Sequence, residues 1–318
     1  MRHPLIWRLR ACSTLATSFR RYSIMAENLV PLPPVEKLSD RVIRVLGGNP
    51  GKFTLQGTNT YIVGTGSKRI LIDSGQGEPA WISSIKKVLS SENITLTHAL
   101  ITHWHHDHTE GVPSLLEHSP ATKVHKRDPQ SHSSASTTWH DIRDGETFTT
   151  EGATLRAFHC PGHTTDHTAF VLEEESAMFT ADNVLGQGTA VFEDLAVYMN
   201  SLDRMRTQFE NRAYPGHGPV IEDGPAKIRE YISHRKQREK QVLDVLASDE
   251  ERKAWTSMQI VKVIYKDYPE SLWVPAERGI ILILEKLVGD GKVSKVGGGK
   301  GEDGEIKWEL NDKATSSL

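Results

Sequence analysis

The chain has 318 residues, and its 38 lysines and arginines against 41 aspartates and glutamates give a net charge of −3 with neutral histidines. Its 37% hydrophobic and 25% charged residues are typical of a globular protein and exclude collagen-like and wholly disordered chains. The chain contains no run of about 18 uncharged apolar residues, which excludes a membrane-spanning helix, and its two cysteines exclude a disulfide framework and a thiolate zinc cluster. The unusual feature of the composition is the presence of 15 histidines.

The N-terminal segment differs from the rest of the chain. Residues 1–22 contain five arginines and no acidic residue, mixed with leucine, isoleucine, tryptophan and phenylalanine. This composition is typical of a mitochondrial presequence, so we predict one over residues 1–24 and a mitochondrial location. If Met25 is the true start, the protein is cytoplasmic. Without residues 1–22, 33 basic residues remain against 41 acidic ones, and a net charge of −8 disfavours electrostatic binding to nucleic acid.

The central part of the chain alternates between strand and helix patterns. The Pro-rich stretch 26–40 is predicted to be a surface lead-in. Short β-branched runs between glycines predict strands at 41–46, 59–66, 68–75, 97–103, 123–127, 153–160, 168–174 and 177–183. Apolar residues at helical spacing predict helices at 78–92, 112–118, 194–212 and 224–247. This mixture predicts an α/β layered domain.

Residues 250–310 have the order helix, turn, helix and β-hairpin, which is the order of a winged helix. The second helix carries the run ILILEKL, which is more apolar than the exposed face of a DNA-reading helix. Basic and acidic residues are also nearly balanced from residue 227 onward. We therefore predict that this module packs on the preceding domain and borders its substrate cleft, and that it does not read DNA.

The stretch that indicates chemistry is THWHHDH at 102–108, directly after a predicted buried strand. His103, His105, Asp107 and His108 offer imidazole nitrogens and a carboxylate, which are donors that Zn²⁺ prefers. Four such donors within six residues would repel one another or lack partners unless a cation holds them. The spacing therefore predicts a metal site.

Further donors follow later in the chain, each where a predicted strand gives way to a turn. They are His163, Asp182 and His217, and we expect their side chains to reach the same face as the first group. Asp73 ends the predicted strand 68–75 and is expected to orient a metal ligand by a hydrogen bond. Cys160 is interpreted as a small buried residue and not as a thiol nucleophile.

These motifs resemble those of the metallo-β-lactamase superfamily and, within it, the β-lactamase-like-protein-2 group, which is close to glyoxalase II. The matching segments include GNPGKFTLQGTNTYIVGTG, ALITHWHHDH, CPGHTTDH and YPGHGPVIEDG. The resemblance covers about residues 40–310 and implies an α/β, four-layer αββα fold. It implies a hydrolase domain at 25–226, a linking helix at 227–249 and a winged-helix-like C-terminal domain at 250–318.

The resemblance also implies roles for seven residues. His103, His105 and His163 would hold one zinc ion, Asp107, His108 and His217 a second one, and Asp182 would bridge the two. Asp107 and Asp182 would be the carboxylates closest to the reaction. Two Zn²⁺ ions roughly 3.5–4 Å apart would lower the pKa of a bridging water toward ~7, and the resulting hydroxide would attack a carbonyl or phosphorus atom.

Several substrates remain open from the sequence. Fungal polyketide thioesterases acting on acyl carrier proteins and mitochondrial single-strand endoribonucleases are both similar over the same span. Basic residues are scarce around the metal motifs, which favours a thioester, either small or bound to an acyl carrier protein, over single-stranded RNA. The basic residues at 227–240 are a candidate docking face for an acidic carrier. A catalytically idle metal protein with a partner-binding winged helix is a third hypothesis.

Overall fold

The computed structural model of the protein describes residues 29–129, 137–248, 254–297 and 305–311. The predicted presequence at 1–24 and the tip of the predicted hairpin at 298–304 lie outside the described residues. Within the described ranges, no helix combines the length and the apolar character needed to cross a membrane.

The first sheet has seven strands in the spatial order of the chain, from β1 to β7. The strands β1 to β4 pair antiparallel, and β4 to β7 pair parallel. Their bounds are Val35–Lys37, Val42–Leu46, Asn59–Val63, Lys68–Ile72, Thr95–Ile101, Lys123–Lys126 and Trp139–His140.

The second sheet has five strands in the order β12-β11-β10-β9-β8. Its pairs are antiparallel except for β11 and β12, which run parallel. The bounds of β8 to β12 are Thr147–Thr150, Ala153–His159, Thr168–Leu172, Ala177–Ala181 and Ala213–Pro215.

The two sheets pack face to face, because alternate apolar side chains of each sheet form one buried cluster between them. From the first sheet this cluster includes Tyr61, Ile70 and Leu100, and from the second it includes Leu155 and Phe170. Helices cover the outer faces, so the predicted αββα layering is confirmed. The helices α1 to α5 span Pro79–Ser91, His106–Thr109, Val112–His118, Leu195–Met205 and Gly224–Leu246.

The C-terminal module has the predicted winged-helix order. The strand β13 (Trp255–Thr256) is followed by the helices α6 (Ser257–Ile264) and α7 (Trp273–Gly289). The strands β14 (Val293–Gly297) and β15 (Ile306–Leu310) then form a three-stranded sheet with β13. A capping box begins α6, since the Thr256 hydroxyl accepts from the Gln259 backbone and the Gln259 side chain accepts from the Thr256 backbone.

The module packs on the layer of helices that covers the second sheet, as predicted. Ile260 and Leu284 belong to the same buried apolar cluster as Val242 of α5 and Leu202 of α4. An ion pair of 3.0 Å between Lys286 Nζ and Glu239 Oε2 joins α7 to α5. The second helix of the module is therefore apolar because it faces the outer helices α4 and α5.

Two sequence predictions about elements are wrong. The lead-in at 26–40 contains the edge strand β1, which pairs with β2 directly after two prolines, a position where an edge strand tolerates them. The helix predicted at 194–212 ends at Met205. Just beyond that end, the Thr207 hydroxyl bonds the Arg204 carbonyl at 2.9 Å, and such side-chain bonds compete with helix continuation.

Candidate metal centre and cleft

The predicted donors lie where strands end at one edge of the sandwich. Asp73 follows β4 and His103 follows β5, and these two strands are parallel neighbours. Asp182 follows β11 and His217 follows β12, which are parallel neighbours in the other sheet. Since the carboxyl ends of parallel strands meet at one edge, the topology brings distant residues together.

Hydrogen bonds join the two sheets at this edge. The backbone amide of Asn59 donates to the Gly216 carbonyl at 2.7 Å, and the Tyr61 hydroxyl donates to the Pro215 carbonyl at 2.6 Å. The amide of Thr168 donates to the Thr102 carbonyl at 2.8 Å. The two halves of the site are thus held in a defined relative position.

The first group of donors consists of His103, His105, His163 and Asp182, with one ligand atom of each within 4.8 Å of the others. The Nε2 atoms of His103 and His163 each lie 3.0 Å from Nδ1 of His105. Three of the four side chains are buried, and His105 is half-buried. This geometry suits a small cation at the centre of the group.

The second group consists of Asp107, His108 and His217, again within 4.8 Å of one another. The Nε2 atoms of His108 and His217 both lie 3.3 Å from Oδ2 of Asp107. All three side chains are buried. Each group therefore combines imidazole with a carboxylate.

Asp182 contacts both groups with different oxygens. Its Oδ2 lies 3.5 Å from His163 Nε2 and 3.9 Å from His103 Nε2. Its Oδ1 lies 3.4 Å from His108 Nε2 and 3.3 Å from His217 Nε2. The carboxylate stands between the two groups.

The outer nitrogens of three histidines bond to groups that fix the ring orientation. His163 Nδ1 donates to the Val191 carbonyl at 2.8 Å, and His108 Nδ1 donates to Asp73 Oδ2 at 2.8 Å. A carbonyl and a carboxylate can only accept, so in the neutral rings Nε2 carries a lone pair that points into the site. His103 Nδ1 lies 2.9 Å from the Thr102 hydroxyl oxygen, which fixes the orientation of this ring as well.

Asp73 is the buried acid that organises this arrangement. It accepts from the Thr102 amide at 2.9 Å and from the Thr102 hydroxyl at 3.0 Å, as well as from His108. A carboxylate behind a histidine in this way fixes the tautomer and raises the basicity of the ring. The hydrogen bond that the sequence analysis expected from Asp73 is present, and its partner is His108.

The electrostatics of the site differ between donors. Burial, and then the neighbouring His163, lowers the pKa of His105 to about 4. Burial alone would lower the pKa of His217, but Asp182 and Asp107 raise it to about 9. Burial alone would raise the pKa of Asp107, but His108 and His217 hold it well below its usual range. Burial would likewise raise the pKa of Asp182, but His217 and His108 hold it low, so Asp107 and Asp182 are ionised at neutral pH.

The residues present fit a divalent metal ion. His108 Nε2 and Asp182 Oδ1 are buried and have no hydrogen-bond partner among the described residues. Buried polar atoms without partners are costly, and a cation between them would remove that cost. The set of imidazole nitrogens and carboxylate oxygens is the type that suits zinc and related metals.

Gly216 leaves room for the Asp182 carboxylate. A Cβ atom at this position would stand 2.2 Å from Asp182 Oδ1 and 3.2 Å from His108 Cε1. The Pro-Gly-His turn therefore needs glycine for close approach to the donors.

Two other histidines and a cysteine lie near the site without joining either group. The Cys160 thiol is fully buried and lies 3.3 Å from His167 Nδ1. Burial raises the pKa of this thiol to about 12, which agrees with its interpretation as a packing residue. His167 lies behind the first group, 5.3 Å from His103 between ring centroids, whereas His106 is exposed.

Sequence reasoning missed the residues that support Asp107. The Thr58 hydroxyl donates to Asp107 Oδ2 at 3.1 Å. Thr58 is in turn held by Asn49, whose Nδ2 and Oδ1 lie 3.0 Å from the Thr58 hydroxyl and 2.9 Å from the Thr58 amide. The only available signal was the position of both residues in the motif GNPGKFTLQGTNTY.

A cleft of about 690 Å³ opens above the donors. Its described walls come from the hairpin at 49–55, from the donor loops and from the segment 185–191. None of the described residues of the C-terminal module lines it, so the described part of the module does not border the cleft as predicted. The reason is that the module packs on α5, on the outer side of the second sheet.

The helix α5 connects the module to the cleft wall. Tyr231 donates to the Gly188 carbonyl at 3.0 Å, and Arg235 donates to the Ala190 carbonyl at 2.7 Å. Arg235 also lies 4.7 Å from the ring centroid of Phe192. The side chains of α5 thus hold the segment 185–191 in place.

Several basic residues of α5 contact other residues of this chain, which the sequence analysis did not predict. Arg238 lies over the Tyr265 ring at 4.9 Å, Lys227 pairs with Glu230, and Lys240 pairs with Asp244. Of the six basic residues at 227–240, Arg235 and Arg238 contact other parts of the protein, whereas Lys227 and Lys240 pair with acidic residues within α5. A charge reversal at Arg235 or Arg238 would therefore disturb packing as well as any docking face.

The fold and the site are those of a known family. A family model described as the metallo-beta-lactamase superfamily matches residues 53–217, and one described as the beta-lactamase associated winged helix domain matches residues 256–308. The chain belongs to the metallo-β-lactamase superfamily of hydrolases.

Curated relatives are similar over most of the chain. An atrochrysone carboxyl ACP thioesterase of Aspergillus chevalieri is 48% identical over 273 residues, which are 84% of this chain and 87% of the relative. One of Claviceps purpurea is 46% identical over 276 residues, covering 84% and 86%. The lactamase-like protein adaB of Aspergillus niger is 44% identical over 293 residues, covering 88% and 89%.

Solved structures share the fold over both parts of the chain. A β-lactamase domain protein of Burkholderia ambifaria matches with a TM-score of 0.74 at 16% identity, covering 89% of this chain and 96% of that one. A metallo-β-lactamase family protein of Thermus thermophilus matches with a TM-score of 0.64 at 20% identity, covering 88% and 99%.

Proposed function

We propose that the protein is a di-zinc thioesterase that hydrolyses acyl thioesters carried by an acyl carrier protein. Relatives named as ACP thioesterases support this proposal at 46–48% identity over 84% of the chain. The chemistry of the donor set supports the metal requirement, since the same nitrogen and oxygen donors suit zinc.

The observation that carries the proposal is the position of Asp182. One of its oxygens faces His163 and His103, and the other faces His108 and His217. We infer that His103, His105 and His163 hold one ion, that Asp107, His108 and His217 hold the other, and that Asp182 bridges them. Two adjacent groups with a shared carboxylate match the donor arrangement of a two-metal site.

When bound, two zinc ions would supply Lewis acidity, lowering the pKa of a bound water toward ~7 and polarising the thioester carbonyl. The protein's own residues orient the donors and shape the cleft. Asp73 and the Val191 carbonyl keep the rings of His108 and His163 in the tautomer that presents Nε2. The buried Cys160, whose pKa burial raises to about 12, is not placed to form an acyl enzyme, so water is the proposed nucleophile.

The charge of the cleft favours a thioester over an RNA phosphodiester. Lys52 is the only lysine or arginine among the described residues that line the cleft. A phosphodiester needs its charged oxygens neutralised along the backbone, whereas a thioester carbonyl is already electrophilic and its thiolate leaves readily. A single lysine does not provide a track for a long single strand.

The test compares two substrates with one preparation. Zinc-loaded protein is assayed on an acyl-carrier-protein thioester and on a single-stranded RNA oligomer. We expect thioester hydrolysis and no RNA cleavage. Efficient RNA cleavage with intact thioesters would replace the proposal with the endoribonuclease hypothesis. Inactivity on both, in protein that retains metal, would favour a non-catalytic metal protein with a partner-binding winged helix.

The metal requirement has a separate test. Elemental analysis of the purified protein is expected to give close to two equivalents of zinc. Removal with a chelator should abolish hydrolysis, and added zinc should restore it. Protein that holds no metal and takes up none would contradict the di-zinc part of the proposal.

We also propose the division of the chain into a hydrolase domain at 25–226, a linking helix at 227–249 and a C-terminal domain at 250–318, with a presequence at 1–24. The matched family models at 53–217 and 256–308 support the two larger parts. The proposed location is mitochondrial if residues 1–22 are a presequence, and cytoplasmic otherwise. Fusing residues 1–24 to a fluorescent protein tests this, and a cytoplasmic signal would exclude import.

A further inference from the structure

We propose that the hairpin at 49–55 selects the substrate through its tip, where Lys52 pairs with an anionic group and Phe53 packs on a flat apolar part of the acyl group. This inference rests on the proposed thioesterase function and names the class of acyl thioester that the cleft accepts. The class is an aromatic acyl thioester that carries a negative charge within reach of the cleft mouth.

The charge of the cleft wall is the first observation. Lys52 is the only lysine or arginine among the described lining residues, and it is exposed at the tip. The acidic residues that line the cleft are Glu78, Asp107 and Asp182, of which the last two belong to the proposed metal groups. Among the described lining residues, Lys52 is therefore the one long cationic side chain placed to meet a substrate anion.

The second observation is that apolar side chains are exposed at the same place. Phe53 is 71% exposed and Val191 is 58% exposed, and both line the cleft. Large apolar side chains exposed at the wall of a concave site are typical of ligand binding. Lys52 Nζ lies 5.5 Å from the centroid of the Phe53 ring, so the cation and the ring are neighbours. Together they match a planar acyl group with an acidic substituent.

The third observation is that the hairpin is tied to the donors. The Gly51 amide donates to the Leu55 carbonyl at 3.1 Å, and the Thr54 hydroxyl donates to the Asn49 carbonyl at 2.6 Å. Asn49 holds Thr58, which donates to Asp107. The base of the hairpin is thus fixed relative to the reacting centre, and a preorganised contact loses less entropy on binding.

The anionic group has two sources in a carrier-bound substrate. One is the phosphate of the phosphopantetheine arm, and the other is an acidic substituent on the acyl group. Both present an oxyanion to which a lysine can donate a charge-assisted hydrogen bond. Ligands that carry only one of the two charges distinguish them.

The experiment measures binding of non-hydrolysable thioether analogues to the zinc-loaded full-length protein by titration calorimetry. The three ligands share one aryl ketone. The first is a neutral pantetheine thioether, the second carries a phosphate on the pantetheine arm, and the third keeps the neutral arm but carries a carboxylate on the aryl ring. Lys52→Gln is compared with wild type and with Lys86→Gln, a matched change of an exposed lysine on α1.

We expect Lys52→Gln to weaken one of the two anionic ligands by about three- to tenfold and the neutral ligand by less than about twofold. The ligand that responds identifies the source of the charge. Three results would overturn the role of Lys52. They are an equal loss of affinity for charged and neutral ligands, no loss of affinity for either anionic ligand, and the same loss of affinity in Lys86→Gln. Absence of binding of every analogue to wild type would overturn the whole inference.

The aromatic contact is tested with Phe53→Ala. We expect about tenfold weaker binding of all three aryl ligands and little change for an acetyl analogue, since the ring buries apolar area only against the larger group. Val274→Ala, which truncates a 72% exposed residue outside the described cleft walls, is the control. Equal effects on aryl and acetyl analogues would contradict the role of Phe53. These binding measurements do not require hydrolysis. If the protein fails to hydrolyse thioesters, the proposed function is wrong, but the binding test can still be decided.

Discussion

Two groups of histidines lie on the sandwich, and they differ in the charged groups that surround them. The first contains the five histidines of the two donor groups, interleaved with Asp107 and Asp182. The second, which we call the histidine row, consists of His98, His125 and His140 on the neighbouring strands β5, β6 and β7. In the row, the ring centroids of His98 and His125 are 5.2 Å apart, and those of His125 and His140 are 5.0 Å apart.

The row lacks the partners that organise the donor groups. Among the described residues, no carboxylate forms an ion pair with the row, and both ring nitrogens of the buried His125 have no hydrogen-bond partner. Burial, and then His98, His140 and Lys123, lowers the pKa of His125 to about 4. In the donor groups, by contrast, Asp182 and Asp107 raise the pKa of His217 to about 9.

The comparison shows what distinguishes a metal centre from a cluster of the same residue type. Convergent histidines fit a cation where carboxylates share the space and where acceptors behind some of the rings fix their tautomer, as Asp73 does for His108. The row has convergence without a carboxylate partner among the described residues, and its described ring hydrogen bond is that of His98 Nδ1 with Thr97 Oγ1 at 3.0 Å. It packs against Phe148 of the second sheet, 5.0 Å from His125, and behaves as part of the core.

The largest effect is expected for Asp182→Ala. This change removes the carboxylate that faces both donor groups, so metal content and hydrolysis should fall together, activity by at least about 100-fold. Elemental analysis and a thioester assay measure the two quantities. His125→Phe in the row should keep its metal content. Full metal content in Asp182→Ala would mean that the carboxylate does not hold the ions.

A smaller loss is expected for Asp73→Asn, which leaves every donor in place but removes the negative charge behind His108 and replaces one of the two acceptor oxygens of residue 73 with a donor. We expect metal affinity to fall about 10–100-fold, as for other partners behind a ligand. Competition with a coloured chelator measures the affinity. Asp144→Asn is the control, since the Asp144 carboxylate accepts from the His159 amide at 2.7 Å, outside the donor groups. Unchanged affinity in Asp73→Asn would show that His108 does not depend on this contact.

The row predicts a dependence of stability on pH. The pKa of His125 in the folded protein, about 4, lies below the ~6.5 of the unfolded chain, so the unfolded chain takes up the proton first as the pH falls. Stability from this residue is complete above about pH 6.5 and is lost progressively toward pH 4. Between pH 7 and pH 5 the loss amounts to about 2 kcal/mol.

Urea unfolding of wild type and His125→Phe at the two pH values checks this prediction. Phenylalanine does not titrate, and it leaves no hydrogen bond unmade because the His125 nitrogens have no described partner. From pH 7 to pH 5, the free energy of unfolding should fall by about 2 kcal/mol more in the wild type than in the variant. The contributions of the other histidines cancel in this difference. Equal losses would show that His125 is protonated as readily in the folded protein as in the unfolded chain.

The smallest effect is expected for His140→Gln, at the exposed end of the row. Removing a neighbour that lowers the pKa of His125 should shift that pKa upward and reduce the pH-dependent loss by about 0.5 kcal/mol. The same urea series measures it. A pH-dependent loss smaller than that of His125→Phe would place the destabilising proton on His140 and reverse the assignment.

The sequence by itself determined the donors and the layering. The α/β layered domain follows from local apolar patterns, because alternate and helical spacings each indicate which face is buried, whereas the αββα order was implied by the resemblance to the metallo-β-lactamase superfamily. The seven donors follow from the spacing in residues 102–108 and from the turns that carry His163, Asp182 and His217. Each of these is a local feature of the chain, which explains why it could be recognised without the fold.

Only the tertiary structure decided which side chains meet. His98 and His125 lie near the donor motifs in sequence, yet they belong to the row, because adjacent parallel strands place them side by side on the first sheet. The contact from Thr58 to Asp107 depends on the packing of segments 49 residues apart. Two further features also depend on how distant elements pack: α5 holds the segment 185–191, and the described part of the C-terminal module lies away from the cleft. Local sequence patterns carry no information about such contacts.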